Sequence, residues 1–103
     1  MCCKWLKEVR GAKGVERIEE MAFSGCGELE KVELSEQLQF VGARAFEHCT
    51  NLKEIQIPEG VKEIPARAFY RCQSLKRVVL PLSLRQIGEE AFAFCKEMEN
   101  EIS

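Results

Sequence analysis

The chain has 103 residues, 46% of them hydrophobic, with 15 basic and 17 acidic side chains and a formal net charge of −2. This length suits one domain, and the hydrophobic content excludes a disordered chain. Because there is no basic excess, the composition argues against nucleic acid or an anionic membrane surface as the main partner.

The first residues, MCCKWLKEVR, contain several charges, and no apolar segment typical of a secretory signal follows them. No run approaches the roughly 20 apolar residues that a membrane-spanning helix requires. We therefore expect an intracellular, reducing compartment in which the six cysteines are thiols. An extracellular location is expected only if this chain is a fragment of a longer surface protein.

A repeat of 23 residues runs through the sequence. The segments EMAFSGC, ARAFEHC, ARAFYRC and EEAFAFC each place phenylalanine and cysteine at the same two positions of the period, and Cys3 is in phase with them. The period predicts a single domain, residues 1–103. Its parts are a partial N-terminal repeat (1–14), full repeats (15–37, 38–60 and 61–83) and a C-terminal repeat with an acidic cap (84–103).

The first half of each unit predicts a short strand, because LEKVELS, LKEIQIP and LKRVVLP alternate in polarity and are rich in β-branched residues. Pro58 and Pro81 follow two of these strands directly, where no further ladder donor is needed. The A-F-x-x-C segment has apolar residues three apart and predicts a short helical turn. Its cysteine suits a small apolar plug. One unit cannot bury these residues, whereas stacked units can.

The unit L-x-x-V-x-L, a turn, V-x-x-I and A-F-x-x-C resembles the leucine-rich repeat. Its length, its AFxxC signature and the segment IPEGVKEI are similar to the BspA-like class, and the resemblance extends from Cys3 to Met98. It implies an α/β fold: a right-handed solenoid with a short parallel β-sheet on the concave face and helical turns on the convex side. It also implies protein binding, as in surface proteins of this class, without catalytic residues.

The two ends of the solenoid differ. At the C-terminal end Glu101 stands where an inward apolar residue is expected, and acidic neighbours discourage edge-to-edge strand pairing, so we interpret this tail as a cap. At the N-terminal end only half a repeat is present, with Trp5 close by. A partner or a second copy is expected to cover that end, which makes self-association a further expectation.

The outward positions of the strands form columns along the concave face. One column contains Glu8, Lys31, Glu54 and Arg77, and the next contains Arg10, Glu33, Gln56 and Val79. Since charges of opposite sign alternate between neighbouring strands, they can satisfy one another and maintain the register. The alternative is a charged recognition surface. We favour the first interpretation because binding surfaces usually concentrate one sign of charge.

Large apolar residues in otherwise polar columns are the other candidates for an interface. Trp5 and Phe40 are the strongest, and Leu82, Tyr70 and Phe94 are weaker ones. Aromatic side chains on a polar surface are typical interface anchors, although scattered apolar residues are normal on protein surfaces. The candidate protein-binding residues are Trp5, Lys31, Glu33, Phe40, Glu54, Gln56, Arg77 and Val79.

The in-phase cysteines allow three interpretations: packing in the core, a disulfide ladder, or a metal site. Packing is favoured because their column points inward and no C-x-x-C pair is present. His48 is the single histidine, and it should face away from Cys49, which disfavours a nucleophilic pair. We therefore expect no enzyme activity, no metal and no cofactor.

Two functions remain. The first is a non-enzymatic protein-interaction module that binds a protein partner through the concave sheet or the open N-terminal end. The alternative is a structural accessory subunit docked permanently in a larger assembly. A monomeric chain favours the first, and aggregation or self-association favours the second. A fragment or engineered array without a native partner is a weaker third possibility.

Overall fold

The structure, a computed structural model, describes residues 8–9 and 14–95, with Val9 described by its backbone alone. Within these residues the chain winds through four successive turns of a solenoid, which we name coils 1 to 4. They comprise residues 8–9 with 14–30, then 31–53, 54–76 and 77–95. Each coil contains two short strands, and the AFxxC segment follows the second of them.

Eight strands are found in the described residues. They are β1 (Glu8–Val9), β2 (Arg17–Ile18), β3 (Lys31–Val32), β4 (Phe40–Val41), β5 (Glu54–Gln56), β6 (Glu63–Ile64), β7 (Arg77–Val79) and β8 (Gln86–Ile87). The first strands of the coils form one parallel sheet in the order β1-β3-β5-β7, as the repeat predicted. The second strands form two smaller parallel sheets, β2-β4 and β6-β8, which were not predicted.

The pairing register follows the 23-residue period without slippage. Val32 pairs with Ile55, and Ile55 pairs with Val78. A slip of one residue would turn the buried side chains of Ile55 and Val78 to solvent, so burial of one face fixes the register. The column of outward residues therefore aligns Lys31, Glu54 and Arg77 across the sheet.

The core lies between the four-stranded sheet and the AFxxC segments, and the same columns of the repeat supply it in every coil. Its fully buried large side chains are Leu29, Leu38, Phe46, Leu52, Val61, Ile64, Phe69 and Leu75. Each coil therefore covers the apolar residues of the next, which is how a unit too small to fold alone becomes stable in a stack.

Phenylalanine rings form a continuous ladder through the core. The rings of Phe23, Phe46, Phe69 and Phe92 stack with centroids 5.3 Å apart at each step. The rings of the Phe46–Phe69 and Phe69–Phe92 pairs lie within 1° of parallel. Such offset stacks add about 0.5–1.5 kcal/mol per pair to the burial of the rings.

The cysteines pack as apolar plugs but also donate hydrogen bonds. The Sγ–H of Cys49 donates to the carbonyl oxygen of Phe23 at 3.2 Å, and that of Cys72 donates to Phe46 at 3.1 Å. Each thiol thus ties its coil to the one before it. Burial, with a smaller effect of the neighbouring thiols, raises the pKa of Cys72, and burial likewise raises the pKa of Cys95.

The helical turn predicted on the convex side is not seen among the described residues. The AFxxC segments form successive β-turns, each closed by an N–H group that donates to the carbonyl three residues earlier. In coil 1 the N–H of Ser24 donates to Met21 and that of Cys26 donates to Phe23. The three-residue spacing of apolar side chains comes from these turns and not from a helical period. We name this side of the solenoid the turn face.

The backbone N–H groups of alternate residues on the turn face donate to carbonyl oxygens of the next coil instead of to their own segment. In coil 2, the N–H of Arg44 donates to Ala66, that of Phe46 to Ala68 and that of His48 to Tyr70, at 2.7–3.1 Å. Arg44 and His48 adopt φ values of 59° and 62°. This left-handed conformation directs their N–H groups along the solenoid axis and prevents a continuous helix.

Candidate functional site

The concave face carries a groove of about 730 Å³ on the outer side of the four-stranded sheet. Strands β3, β5 and β7 form its floor, and the turns that follow β3 and β5 form one wall. It is lined by Val32, Glu33, Leu34, Glu36, Glu54, Ile55, Gln56, Pro58, Glu59, Arg77 and Val79. Parallel strands place the same column of successive coils side by side, so equivalent residues such as Gln56 and Val79 line the groove together.

Five of the predicted binding residues line this groove together, namely Glu33, Glu54, Gln56, Arg77 and Val79. Lys31 lies on β3 in register with Glu54 and is exposed, but it is outside the groove lining. The structure therefore brings most of the concave candidates into one site.

The two aromatic candidates lie elsewhere. Phe40 is on β4, outside the groove, and is 42% exposed. The guanidinium of Arg17 covers its ring at 4.3 Å from the centroid, so the neighbouring strand partly shields Phe40. Trp5 and the acidic cap at 96–103 lie outside the described residues.

The charges of the groove are not balanced. The Nη1 atom of Arg77 lies 3.9 Å from Oε1 of Glu54, and this pair neutralises one carboxylate. Within residues 8–9 and 14–95, Glu33 and Glu36 form no ion pair. Glu59 accepts a hydrogen bond of 3.5 Å from the Ser83 hydroxyl. An excess of negative charge therefore remains along the wall of the groove.

Apolar surface adjoins this charge on coil 4. Val79 is 45% exposed at the C-terminal end of β7, and Leu82 is 94% exposed in the following turn. Leu82 occupies the position of Glu36 and Glu59 in the preceding coils. The groove lining thus combines carboxylates on coils 2 and 3 with the exposed apolar side chain of Val79 on coil 4, and Leu82 lies outside the lining. The strand columns alone do not predict this arrangement, because Glu36 and Glu59 belong to the turns after the strands.

The geometry of His48 and Cys49 does not form a nucleophilic pair. Cys49 is fully buried, and its thiol donates to a backbone carbonyl, whereas His48 is exposed and its ring lies 6.0 Å from that of Tyr70. Among the described residues, no group of three or more His, Cys, Asp or Glu side chains is placed to hold a metal ion. The part of the chain that the structure describes also contains no helix long and apolar enough to cross a membrane.

A family model described as the BspA type leucine-rich repeat region matches residues 1–102 in six copies. The chain belongs to the BspA-type leucine-rich-repeat family. This family consists of repeat modules that typically mediate protein interactions and are generally not catalytic. Comparison with curated proteins finds no match.

Solved structures of bacterial leucine-rich-repeat proteins show the same fold. A leucine-rich repeat protein from Bacteroides ovatus ATCC 8483 matches 98% of this BspA-type chain with a TM-score of 0.84 and 34% identity. The T. pallidum leucine-rich repeat protein matches 89% with a TM-score of 0.79 and 32% identity. A leucine-rich cell surface protein from Faecalibacterium prausnitzii A2-165 matches 95% with a TM-score of 0.66 and 31% identity.

This BspA-type chain is shorter than those proteins. It spans 30%, 50% and 33% of their lengths, respectively. What it shares with them is the repeat architecture.

Proposed function

We propose that this chain is a non-enzymatic protein-interaction module whose partner lies in the concave groove. The observation that carries the proposal is that Glu33 and Glu36, which form no ion pair within the described residues, line the same groove as the exposed side chain of Val79. The exposed Leu82 lies in the turn after β7. This combination favours a partner segment in which a basic side chain precedes or follows an apolar one, because opposite charges steer association and apolar contacts retain the complex.

Charge reversal at Glu36 tests the groove. The experiment selects peptides from a random display library against the purified chain and measures their dissociation constants. We expect basic peptides with apolar residues, bound at least about tenfold more weakly by Glu36→Lys. Glu63→Lys is the matched control, because Glu63 is an exposed glutamate on β6, outside the groove lining. Selected peptides that bind Glu36→Lys and the native chain equally would refute the groove as the site.

Arg77 separates binding from stability. Its ion pair with Glu54 joins side chains that are 71% and 62% exposed, so it contributes less than about 1 kcal/mol to folding. Arg77→Glu should therefore leave the unfolding midpoint nearly unchanged. Binding of the selected peptide weakens in this variant if the arginine donates to one of the peptide's carbonyl oxygens; otherwise the more acidic groove binds a basic peptide at least as tightly. Normal binding together with a large loss of stability would instead show that the charge column is structural.

The docked-subunit alternative, or self-association through an open end, is supported by the surfaces of the end coils. Ile87 in coil 4 is 48% exposed, whereas its equivalent in coil 3, Ile64, is 1% exposed. Val15 in coil 1 is 37% exposed, whereas its equivalent Leu38 is fully buried. Light scattering during size-exclusion chromatography tests this alternative: a concentration-dependent oligomer that Ile87→Glu abolishes supports it, and a monomer at all concentrations rejects it.

A further inference from the structure

The turn face carries a cluster of aromatic and cationic side chains that neither the core nor the groove uses. The aromatic–arginine patch comprises His48, Tyr70, Arg71 and Phe94, from coils 2 to 4. The Tyr70 ring meets the Phe94 ring edge-to-face at 5.5 Å and lies 6.0 Å from the His48 ring. Phe94 is nevertheless 54% exposed, so contacts within the patch leave much of its surface in water.

The guanidinium of Arg71 lies over these rings. Its guanidinium carbon lies 4.7 Å from the centroid of Phe94 and 5.5 Å from that of Tyr70. A guanidinium positioned over aromatic faces keeps its N–H donors in the plane of the group, where they can form two parallel hydrogen bonds to a carboxylate. Little side-chain freedom then remains to be lost on binding.

The charge of Arg71 is not matched by a carboxylate. The two neighbouring arginines of the turn face have acidic partners: Arg67 lies 2.8 Å from Glu90, and Arg44 lies 3.7 Å from Glu47. Within residues 8–9 and 14–95, Arg71 has no such partner, and its contacts there are with rings. The patch is therefore locally cationic although the chain as a whole is acidic.

The backbone presents these side chains outward. His48, Arg71 and Phe94 have φ values of 62°, 61° and 63°, a conformation that bulky residues rarely adopt. Coil 1 places Gly25 at the same position, with φ of 77°. The repeat thus accepts a glycine here, yet three coils carry large side chains at that position.

We infer that the aromatic–arginine patch is a second protein-docking surface, which binds a segment of a partner that carries a carboxylate beside an apolar or aromatic side chain. The carboxylate accepts hydrogen bonds from Arg71, and the apolar group packs on Phe94 and Tyr70. Arginine and aromatic residues are the side chains most enriched at the centres of protein interfaces. Charge complementarity selects an acidic segment, in contrast to the basic segment proposed for the groove.

The test uses three short fluorescein-labelled peptides in which leucine and phenylalanine alternate with glutamate, with glutamine or with lysine, and it measures fluorescence anisotropy. We expect the glutamate peptide to bind about tenfold more tightly than the glutamine peptide and the lysine peptide not to bind the patch. Arg71→Gln should weaken binding of the glutamate peptide about tenfold. Arg85→Gln, which removes an exposed arginine without ring contacts, is the matched control and should bind like the native chain.

Phe94→Ser provides a second variant, and circular dichroism confirms that each variant is folded. The inference is overturned if the glutamine peptide binds equally well, if Arg71→Gln has no effect, or if a single-stranded oligouridine binds the patch more tightly than the glutamate peptide does. Because Glu36→Lys changes only the groove, it should leave the affinity of the glutamate peptide unchanged. An affinity that changes in Glu36→Lys but not in Arg71→Gln would place the glutamate peptide in the groove and reject the patch.

Discussion

Removal of one ring from the phenylalanine ladder should lower the free energy of unfolding more inside the stack than at its end. Phe69 is 1% exposed and stacks on Phe46 and Phe92. A fully buried phenylalanine replaced by alanine typically destabilises a protein by about 3–5 kcal/mol, including the cavity. For Phe69→Ala we expect about 4–5 kcal/mol, because two stacked pairs are lost. That is a large fraction of the roughly 5–15 kcal/mol that stabilises a domain of this size.

Phe92→Ala is the matched control. Phe92 is only partly buried and stacks on a single ring among the described residues, Phe69, so its loss should cost about 2 kcal/mol. The assay is urea unfolding followed by far-ultraviolet circular dichroism. The slope of the unfolding free energy against urea concentration should be the same in both variants and the native chain. Equal losses in the two variants, or a larger one at Phe92, would refute the argument that a ring stacked on both sides stabilises the core more than a ring stacked on one side.

Two further predictions concern the turn face and the thiols. Met21 has φ of 60° and is 40% exposed, so Met21→Val should lower the free energy of unfolding by about 1–2 kcal/mol, whereas Met21→Asn should be nearly neutral in the same urea assay. Burial raises the pKa of Cys72 above its ordinary value of 9.0, so above that pH the thiol ionises only when the chain unfolds. Stability should then fall by about 1.4 kcal/mol per pH unit per buried thiol. The fall should be shallower in Cys72→Ala, and a urea midpoint that is unchanged across pH 9.0 would contradict this prediction.

The inward columns were predictable from the sequence because each contains the same kind of apolar side chain in every repeat. Leu52 and Leu75 are fully buried for the same reason, and four copies of a pattern exclude coincidence. The parallel sheet followed from stacking, since neighbouring coils place equivalent residues side by side. This part of the fold needed no information beyond the period and the polarity of its positions.

The turn face was harder to predict because several of its non-glycine residues adopt positive φ values, which such residues normally avoid. Residues such as Arg44 and Arg67 give no sequence signal for a positive φ, which glycine usually supplies. Their conformation is imposed by hydrogen bonds to the next coil, such as the one from the N–H of Arg67 to Glu89. A pattern of apolar residues three apart therefore predicted a short helical turn, although every second N–H group of the segment donates to a different coil.

The charge of the groove shows a different limit of sequence analysis. Along the strands, Lys31, Glu54 and Arg77 alternate in sign, and this column alone predicts a balanced surface. The groove also includes a wall made by the turns, where Glu36 forms no ion pair with any described residue. A binding surface gathers residues from several columns, and its net charge depends on which columns the curvature brings together. The repeat sets the order of the columns, but only the folded solenoid shows that strand and turn share one groove.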